Sequence, residues 1–259
     1  MMNSAPSRKG WQAWKRRISA DFPWVSATIG ALTILVFLAQ ILSEAITGID
    51  WPVHWGIKYT PLIVEYHQYW RLLTPMLLHG GVLHIGLNMW GLYVLGPNLE
   101  RLLGPWRFAL LYLLSAYAGN ALSTAFSQAP SLGASTAIFG LLGAYLVVFY
   151  TNQDYLGNVA RSATQQALFW IAINLVWSLQ GGIDLWGHLG GLLGGMLFSL
   201  MGGPRWADSG GKVYDYGAAL LSMRDHRPYR DVFLGAVVTF AAFTAVMVVR
   251  YPQILPFSP

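Results

Sequence analysis

The amino-acid sequence predicts an all-α protein that crosses a membrane several times, with seven long helices in one bundle. Two observations support this fold class. Only 10% of the 259 residues are charged, whereas a soluble domain carries about 25%. Hydrophobic residues make up 55% of the chain, and the mean hydropathy is +0.45. Because so few charges could not cover a surface in water, we expect a bilayer to be the solvent of most of the chain.

The first predicted helix is the apolar run from Trp24 to Leu42. Its 19 residues can cross a bilayer, and they exceed the apolar core of a signal peptide, which has about 7–15 residues. We therefore expect a retained helix. The stretch 45–78 mixes aromatic residues with prolines, which is typical of an outer loop lying partly among lipid headgroups. Further spans are predicted at residues 80–98, 106–126, 134–150, 165–180, 184–202 and 232–250.

The distribution of basic residues predicts the orientation in the membrane. With the N-terminus inside, 13 of the 16 Lys and Arg residues fall on the inner side and 3 on the outer side. Since cytoplasmic loops are enriched in Lys and Arg, we expect a cytoplasmic N-terminus and an outer C-terminus. The same enrichment explains the net charge of +5 without a nucleic-acid partner. It also suits the cytoplasmic membrane of a bacterium, although an organelle membrane stays open.

These features divide the chain into five parts. They are a basic cytoplasmic tail at 1–22, a six-helix core at 23–203, a cytoplasmic loop at 204–231, a seventh transmembrane helix at 232–250 and an outer tail at 251–259. The chain contains no cysteine, so neither disulfides nor thiolate chemistry is available.

Polar side chains inside the predicted spans are candidates for function, because they are costly to place in a membrane. Ser135, His188 and His84 lie on three spans that run in the same direction. Each lies about 14 or 15 residues before the inner end of its span, which corresponds to about 21–22 Å of helix. In a hydrocarbon core about 30 Å thick, the three side chains should therefore share one depth near the outer side.

The residue types at this depth favour nucleophilic catalysis. A serine hydroxyl is a weak nucleophile until a base removes its proton, and histidine suits that task. Ser135 begins its predicted helix, where free backbone N–H groups could stabilise an oxyanion. His84 and Asn88 are four residues apart, so they share a helix face and can donate hydrogen bonds to the same group.

Small residues predict that two of the spans approach closely. Gly191 and Gly195 have the spacing that lets helices pack at short range, and Gly140 and Ala144 have the same spacing on the span of Ser135. We expect this packing to bring the hydroxyl of Ser135 to the ring of His188.

Four motifs, in their order along the chain, resemble the pattern of rhomboid proteases. They are Trp70-Arg71 in the outer loop, HIGLN with His84 and Asn88, GASTAIFG with Ser135, and GHLGG with His188. The resemblance covers roughly residues 24–203. It implies a rhomboid-like six-helix bundle, to which the predicted span at 232–250 adds one C-terminal transmembrane helix (6+1).

The resemblance also implies roles for individual residues. Ser135 would be the nucleophile and His188 the general base, with an oxyanion hole formed by His84, Asn88 and the backbone N–H of Ser135. The substrate would be a membrane protein, cut in or near a transmembrane helix. No cofactor or metal is expected, and the oligomeric state stays open. The residues expected to support the site are Trp70, Arg71, Gly133, Phe139 and Gly191.

Several alternatives stay open at this point. Asp184, one turn before His188, could orient the imidazole, although an ordinary helix cap is the favoured interpretation. Thr136 stands where the family usually has glycine, which narrows the space beside the nucleophile. An inactive rhomboid-like protein that binds client helices is the main alternative function, and a transporter fits less well because the polar groups lie nearer the outer face than the midplane. No H-E-x-x-H motif is present, which argues against a zinc protease.

Overall fold

The computed structural model of the protein describes residues 22–207 and 224–255. The predicted tails at 1–22 and 251–259 and the predicted loop at 204–231 therefore lie partly outside the described residues. Within the described ranges, most residues are helical. The α-helices are α1 (Trp24–Thr47), α2 (Trp51–Gly56), α3 (Thr60–Val64), α4 (Val82–Leu103), α5 (Pro105–Phe126), α6 (Ser135–Thr151), α7 (Gln153–Leu156), α8 (Asn158–Ser178), α9 (Leu185–Gly202) and α10 (Tyr229–Arg250).

Within residues 22–207 and 224–255, several short elements accompany these α-helices. Three 3-10 helices lie at Tyr69–Leu72, Thr74–Leu77 and Pro252–Ile254. Two two-residue strands, β1 (Trp206–Ala207) and β2 (Arg224–Asp225), pair antiparallel on either side of the undescribed segment. Asp225 also forms an ion pair with Arg107 near the start of α5.

Each predicted span coincides with one long helix of the structure. By length and composition, α1, α5, α9 and α10 are apolar enough to cross a membrane, and α6 is a shorter apolar helix of 17 residues. The prediction of an all-α protein with several membrane spans is confirmed. The helix α8 begins at Asn158, earlier than the predicted start at residue 165. The polar residues of its first two turns continue the helix without adding to its apolar run.

The helices α5, α6 and α9 form the centre of the bundle. The helix α10 packs on α5 and α9, α8 packs on α6, and α1 packs on α4. The largest buried cluster joins α4, α5, α6 and α9, and its large fully buried side chains are Leu99, Phe108, Leu111, Tyr112, Leu141 and Phe198.

Glycines allow α9 to lie directly against its neighbours. A Cβ atom added to Gly191 would lie 1.9 Å from the carbonyl oxygen of Thr136, and one added to Gly195 would lie 2.1 Å from that of Gly140. On the opposite side, a Cβ at Gly190 would lie 2.6 Å from the carbonyl oxygen of Ala118 in α5. The close packing that the small-residue spacing predicted is therefore confirmed, since any larger side chain would force the helices apart.

A buried carboxylate joins the start of α1 to the end of α4. Glu100 accepts hydrogen bonds from the backbone N–H groups of Val25 and Ser26, at 2.9 and 2.7 Å, and from the hydroxyl of Ser26 at 2.7 Å. A carboxylate at a helix N-terminus satisfies free N–H groups and complements the positive end of the helix dipole. This contact fixes the end of the bundle opposite to Ser135.

The loop between α1 and α4 is an ordered layer of short helices. Lys58 within it is fully buried, and its Nζ donates to the carbonyl oxygens of Ser127 and Ala129 at 2.9 and 3.0 Å. The backbone of Lys58 also pairs with Ser131. Burial lowers the pKa of Lys58 to about 8. The loop is therefore tied to the segment that leads into α6 and Ser135.

Candidate active site

Ser135 and His188 meet at the N-terminal ends of two neighbouring helices. Ser135 is the first residue of α6, and His188 lies in the first turn of α9. The Oγ atom of Ser135 is 2.8 Å from Nε2 of His188, which is a normal hydrogen-bond distance. His188 is 8% exposed, and Ser135 is partly exposed. A reacting group can therefore reach the serine while the imidazole stays largely out of water.

An aromatic ring fixes the plane of the imidazole. Phe139, one turn after Ser135 on α6, stacks on His188 with ring centroids 4.1 Å apart and an angle of 14° between the planes. Phe139 is itself buried at 4% exposed. The stack leaves the ring edge of His188 directed at its two hydrogen-bond partners.

Asp184 acts as the cap of α9. Its Oδ1 atom accepts the backbone N–H of Gly187 at 2.8 Å, and its Oδ2 atom accepts the hydroxyl of Ser123 at 2.6 Å. Both carboxylate oxygens are thus engaged by groups other than the imidazole. The structure favours the cap over a third catalytic group, because the Nδ1 atom of His188 has a different partner.

That partner is Ser178, the last residue of α8. Its Oγ atom lies 2.6 Å from Nδ1 of His188, and the side chain is 2% exposed. The sequence analysis missed this residue. The signal was present, since Ser178 is a polar side chain within the predicted span 165–180, and polar groups within spans are candidates for function.

His84 and Asn88 lie together on one face of α4, beside the start of α6. Nδ1 of His84 accepts the backbone N–H of Gly80 at 3.3 Å, so in a neutral ring the proton is on Nε2. Asn88 is buried, and one of its amide protons goes to the carbonyl oxygen of His84 at 2.9 Å. A second amide proton remains. Both side chains can therefore donate a hydrogen bond.

Gly133 makes room for His84 beside the serine. Its φ angle of +130° lies in a region that side chains disfavour. A Cβ atom added there would lie 2.8 Å from Nε2 of His84 and 3.6 Å from Oγ of Ser135. The His84 and Ser135 atoms therefore border the same small space, which only glycine leaves open.

Comparisons with known proteins identify the family of this chain. Residues 66–205 match the family model described as the Rhomboid domain. The chain belongs to the rhomboid family. It is 39% identical over 166 residues to Rhomboid protease GluP of Bacillus subtilis (strain 168), covering 64% of this chain and 32% of that protein. It is 37% identical over 200 residues to RHOMBOID-like protein 1 of Arabidopsis thaliana, covering 75% and 51%.

A third relative of this rhomboid is Rhomboid-like protease 1 of Toxoplasma gondii, 37% identical over 153 residues, with 58% of this chain and 52% of the relative covered. The chain thus spans only a third to about half of the length of these three relatives. Other relatives from Arabidopsis thaliana have names that include mitochondrial and chloroplastic. The relatives therefore do not single out a bacterial membrane.

The Trp70-Arg71 pair of this rhomboid lies within the loop between α1 and α4 and contacts the end of α2. Arg71 is 2% exposed and donates to the carbonyl oxygens of Ile57 and His54 at 2.8 and 3.0 Å. Its Nε atom donates to the side chain of Gln68 at 2.7 Å. The exposed Trp70 donates from Nε1 to the carbonyl oxygen of Trp55 at 3.0 Å. The pair therefore ties the 3-10 helix at Tyr69–Leu72 to the C-terminal end of α2.

Thr136, the departure of this rhomboid from the usual glycine, is accommodated by glycines on two other helices. It is 5% exposed, and its Cβ atom would lie 2.7 Å from a Cβ added to Gly119 in α5. Its methyl group would lie 3.1 Å from a Cβ added to Gly187 in α9. The extra volume of threonine thus fits opposite two residues that have no side chain.

The described residues include no group of three or more His, Cys, Asp or Glu side chains that could hold a metal ion.

His79 lies beside His84, with ring centroids 5.1 Å apart. His79 is buried and its Nε2 atom accepts the backbone N–H of Ala134 at 3.5 Å. It thus contacts the segment directly before Ser135.

Proposed function

We propose that this chain is an intramembrane serine endopeptidase that uses Ser135 and His188 as a dyad. The observation that supports this function best is the distance of 2.8 Å between Oγ of Ser135 and Nε2 of His188. A nucleophile and a base within hydrogen-bond reach, with the base oriented by further contacts, are the requirement for covalent catalysis. Relatives named as proteases make the same reaction class the natural expectation.

The proposed reaction has two halves. Oγ of Ser135 attacks the carbonyl carbon of the scissile peptide bond, while Nε2 of His188 takes the hydroxyl proton. The tetrahedral intermediate then collapses, the C–N bond breaks, and His188 returns the proton to the departing amine. A water molecule attacks the acyl-enzyme with His188 again as base, which releases the acid product and restores the hydroxyl of Ser135.

The proposed oxyanion hole consists of three donors. The backbone N–H of Ser135 is free of an intrahelical partner because Ser135 begins α6. The Nε2–H of His84 and the second amide proton of Asn88 supply two more donors from α4. Such donors act strongly where water is excluded, and each is worth about 2.7–4 kcal/mol of barrier lowering in acyl-transfer enzymes.

The proposed substrate is a transmembrane segment of another membrane protein. The helices around the site present apolar faces outward, with Leu87 on α4 and Trp177 on α8 each more than 60% exposed in the isolated chain. In a bilayer these faces contact lipid, so a segment that reaches Ser135 from the side is apolar. No cofactor takes part in this reaction.

The proposed topology follows from the charge distribution. We place the N-terminus in the cytoplasm, six helices in the core at 23–203, and α10 as the additional seventh span. The site then lies toward the outer side of the membrane. A bacterial cytoplasmic membrane is the compartment that the basic inner loops favour. Because the chain contains no cysteine, single cysteines introduced into its loops and labelled from one side of the membrane test the orientation directly.

The alternative of an inactive protein that binds client helices has no structural observation in its favour. It was raised by Thr136, and that side chain fits against Gly119 and Gly187. Both members of the proposed dyad are present and in contact. The alternative therefore becomes an outcome of the experiment below.

The test compares cleavage of a generic transmembrane substrate by the purified protein and three variants in detergent. We expect cleavage by the wild type and none by Ser135→Ala or His188→Ala. Ser199→Ala is the matched control, because it removes a buried hydroxyl of α9 that has no hydrogen-bond partner among the described residues. Cleavage that persists in Ser135→Ala would refute the assigned nucleophile. Binding of substrate without cleavage by the wild type would establish the client-binding alternative.

A further inference from the structure

Ser178 contacts the side of the His188 ring that faces away from the nucleophile. Its Oγ atom is 2.6 Å from Nδ1 of His188 and 2.7 Å from the carbonyl oxygen of Asn174, one turn earlier on α8. A carbonyl oxygen can only accept, and a hydroxyl has a single proton. The proton of Ser178 therefore goes to Asn174, and toward His188 the hydroxyl acts as an acceptor.

The direction of these hydrogen bonds determines which nitrogen of His188 is protonated. Because Ser178 accepts, Nδ1 of the neutral ring carries the proton, and Nε2 is left with a lone pair. A lone pair on Nε2 is what removal of the proton from Ser135 requires, and Nε2 is the atom that contacts Ser135 at 2.8 Å. The opposite tautomer would place an N–H group against the hydroxyl and could not act as a base.

We propose that Ser178 is a positioning residue that holds His188 in the tautomer able to activate Ser135. This inference rests on the proposed function, and it adds a third member, from α8, to the pair from α6 and α9. Ser178 is also the last residue of α8, so the negative end of that helix dipole lies near the imidazole. The acceptor role of Ser178 and the helix dipole both favour the imidazolium of His188 that forms when the proton is transferred.

Asp184 does not take this role, although it lies closer in sequence to His188. Its two oxygens accept hydrogen bonds from Gly187 and Ser123.

Ser178 is 2% exposed, so water has little access to it. In a variant without the hydroxyl of Ser178, a water molecule therefore cannot readily take its place as the acceptor for Nδ1 of His188.

The test measures turnover and substrate affinity separately for Ser178→Ala and Ser178→Thr. We expect Ser178→Ala to lower kcat about tenfold to a hundredfold, which corresponds to loss of one hydrogen bond to a group that becomes charged. The KM should stay within about twofold, because no contact with the substrate is removed. Ser178→Thr keeps a hydroxyl that can donate to Asn174, and it should restore most of the turnover. Ser199→Ala, a buried serine on α9 with no partner among the described residues, should match the wild type.

A spectroscopic readout tests the tautomer without relying on cleavage. In 15N spectra of histidine-labelled protein, the signals that disappear in His188→Gln should show a protonated Nδ1 in the wild type. The same signals should shift toward the other tautomer in Ser178→Ala. A wild-type ring protonated at Nε2 would overturn the inference.

The kinetic outcomes separate this inference from the proposed function. If the wild type cleaves and Ser178→Ala matches it, the inference fails and the dyad stands. If Ser178→Ala loses activity and Ser178→Thr does not recover it, the role of Ser178 is structural and the inference fails again. If the wild type neither cleaves nor reacts with a fluorophosphonate, the proposed function itself fails.

Discussion

Phe139 and His188 stack almost parallel, with ring centroids 4.1 Å apart and planes 14° apart. Because Phe139 is only four residues after Ser135, α6 supplies both the proposed nucleophile and the surface that holds its base. The imidazole is thus constrained on its face by Phe139 and on its edges by Ser135 and Ser178.

Loss of the Phe139 ring should leave the imidazole of His188 less firmly held in its position. We expect Phe139→Ala to lower kcat by about tenfold or more and to destabilise the protein by roughly 3–5 kcal/mol, because a buried ring is replaced by a cavity. Phe139→Tyr keeps the stacking surface and should retain far more activity. Turnover per folded molecule and thermal unfolding in detergent measure the two effects. Unchanged turnover in Phe139→Ala would show that the stack has no part in holding His188.

Separation of α6 from α9 should break the hydrogen bond between Ser135 and His188. In Gly191→Ala the new Cβ atom would lie 1.9 Å from the carbonyl oxygen of Thr136, so the backbones must move apart. We expect almost complete loss of cleavage and a lower unfolding temperature. The matched control is Gly86→Ala on α4, where an added Cβ meets nothing within 4 Å. That control should be as stable as the wild type or up to about 1 kcal/mol more stable. Equal activity of the two variants would contradict the packing account.

Replacement of Arg71 should release the loop between α1 and α4. Arg71→Lys retains the charge, but an ammonium group lacks the planar guanidinium that donates to the carbonyl oxygens of His54 and Ile57 at the same time. Each lost hydrogen bond of a charged group costs about 1.5–3 kcal/mol. We therefore expect a lower unfolding temperature and faster proteolysis within residues 48–81. Arg161→Lys, an exposed position on α8, is the control. Identical proteolysis of both variants would show that Arg71 does not anchor the loop.

Lys58 should make stability depend on pH in the alkaline range. Its pKa is lowered by burial to about 8, whereas that of an exposed lysine is about 10.4. Between these values the unfolded chain binds more protons than the folded one, so the stability contribution of this group rises with pH across that window. The rise is at most about 3 kcal/mol.

The variant Lys58→Met isolates this effect, because other groups also titrate between pH 7 and 10.5. The unfolding temperature of the wild type should increase relative to Lys58→Met over that range. Parallel curves for the two proteins would mean that Lys58 titrates at its ordinary value and that burial has little influence on it.

The sequence predicted the parts of the fold that depend on local composition. The apolar runs predicted the seven long helices found in the part of the chain that the structure describes, and the spacing of Gly191 and Gly195 predicted the approach of α9 to α6. Helix direction and the distance of each residue from the inner end of its span predicted one membrane depth for Ser135, His188 and His84, and this depth stays a prediction. These properties are set by residues a few positions apart, so they are readable without coordinates.

The contacts made between helices were harder to predict. Ser178 was missed because its partner depends on how α8 packs against α9 and on which rotamers the two side chains adopt. Asp184 was considered for the same role because it is one turn from His188, yet its oxygens are used by Gly187 and Ser123. The accommodation of Thr136 likewise requires Gly119 and Gly187, which lie on other helices. The 6+1 arrangement in a membrane and the catalytic roles stay predictions.

The measurement that tests the central claim most directly is labelling with a fluorophosphonate followed by mass spectrometry of the labelled peptide. This reagent reacts with a serine only when its hydroxyl is activated by a base. We predict one adduct, on Ser135, that is absent in His188→Ala and unchanged in Ser199→Ala. An adduct on another serine, or labelling of Ser135 that persists at the same rate in His188→Ala, would contradict the assigned dyad.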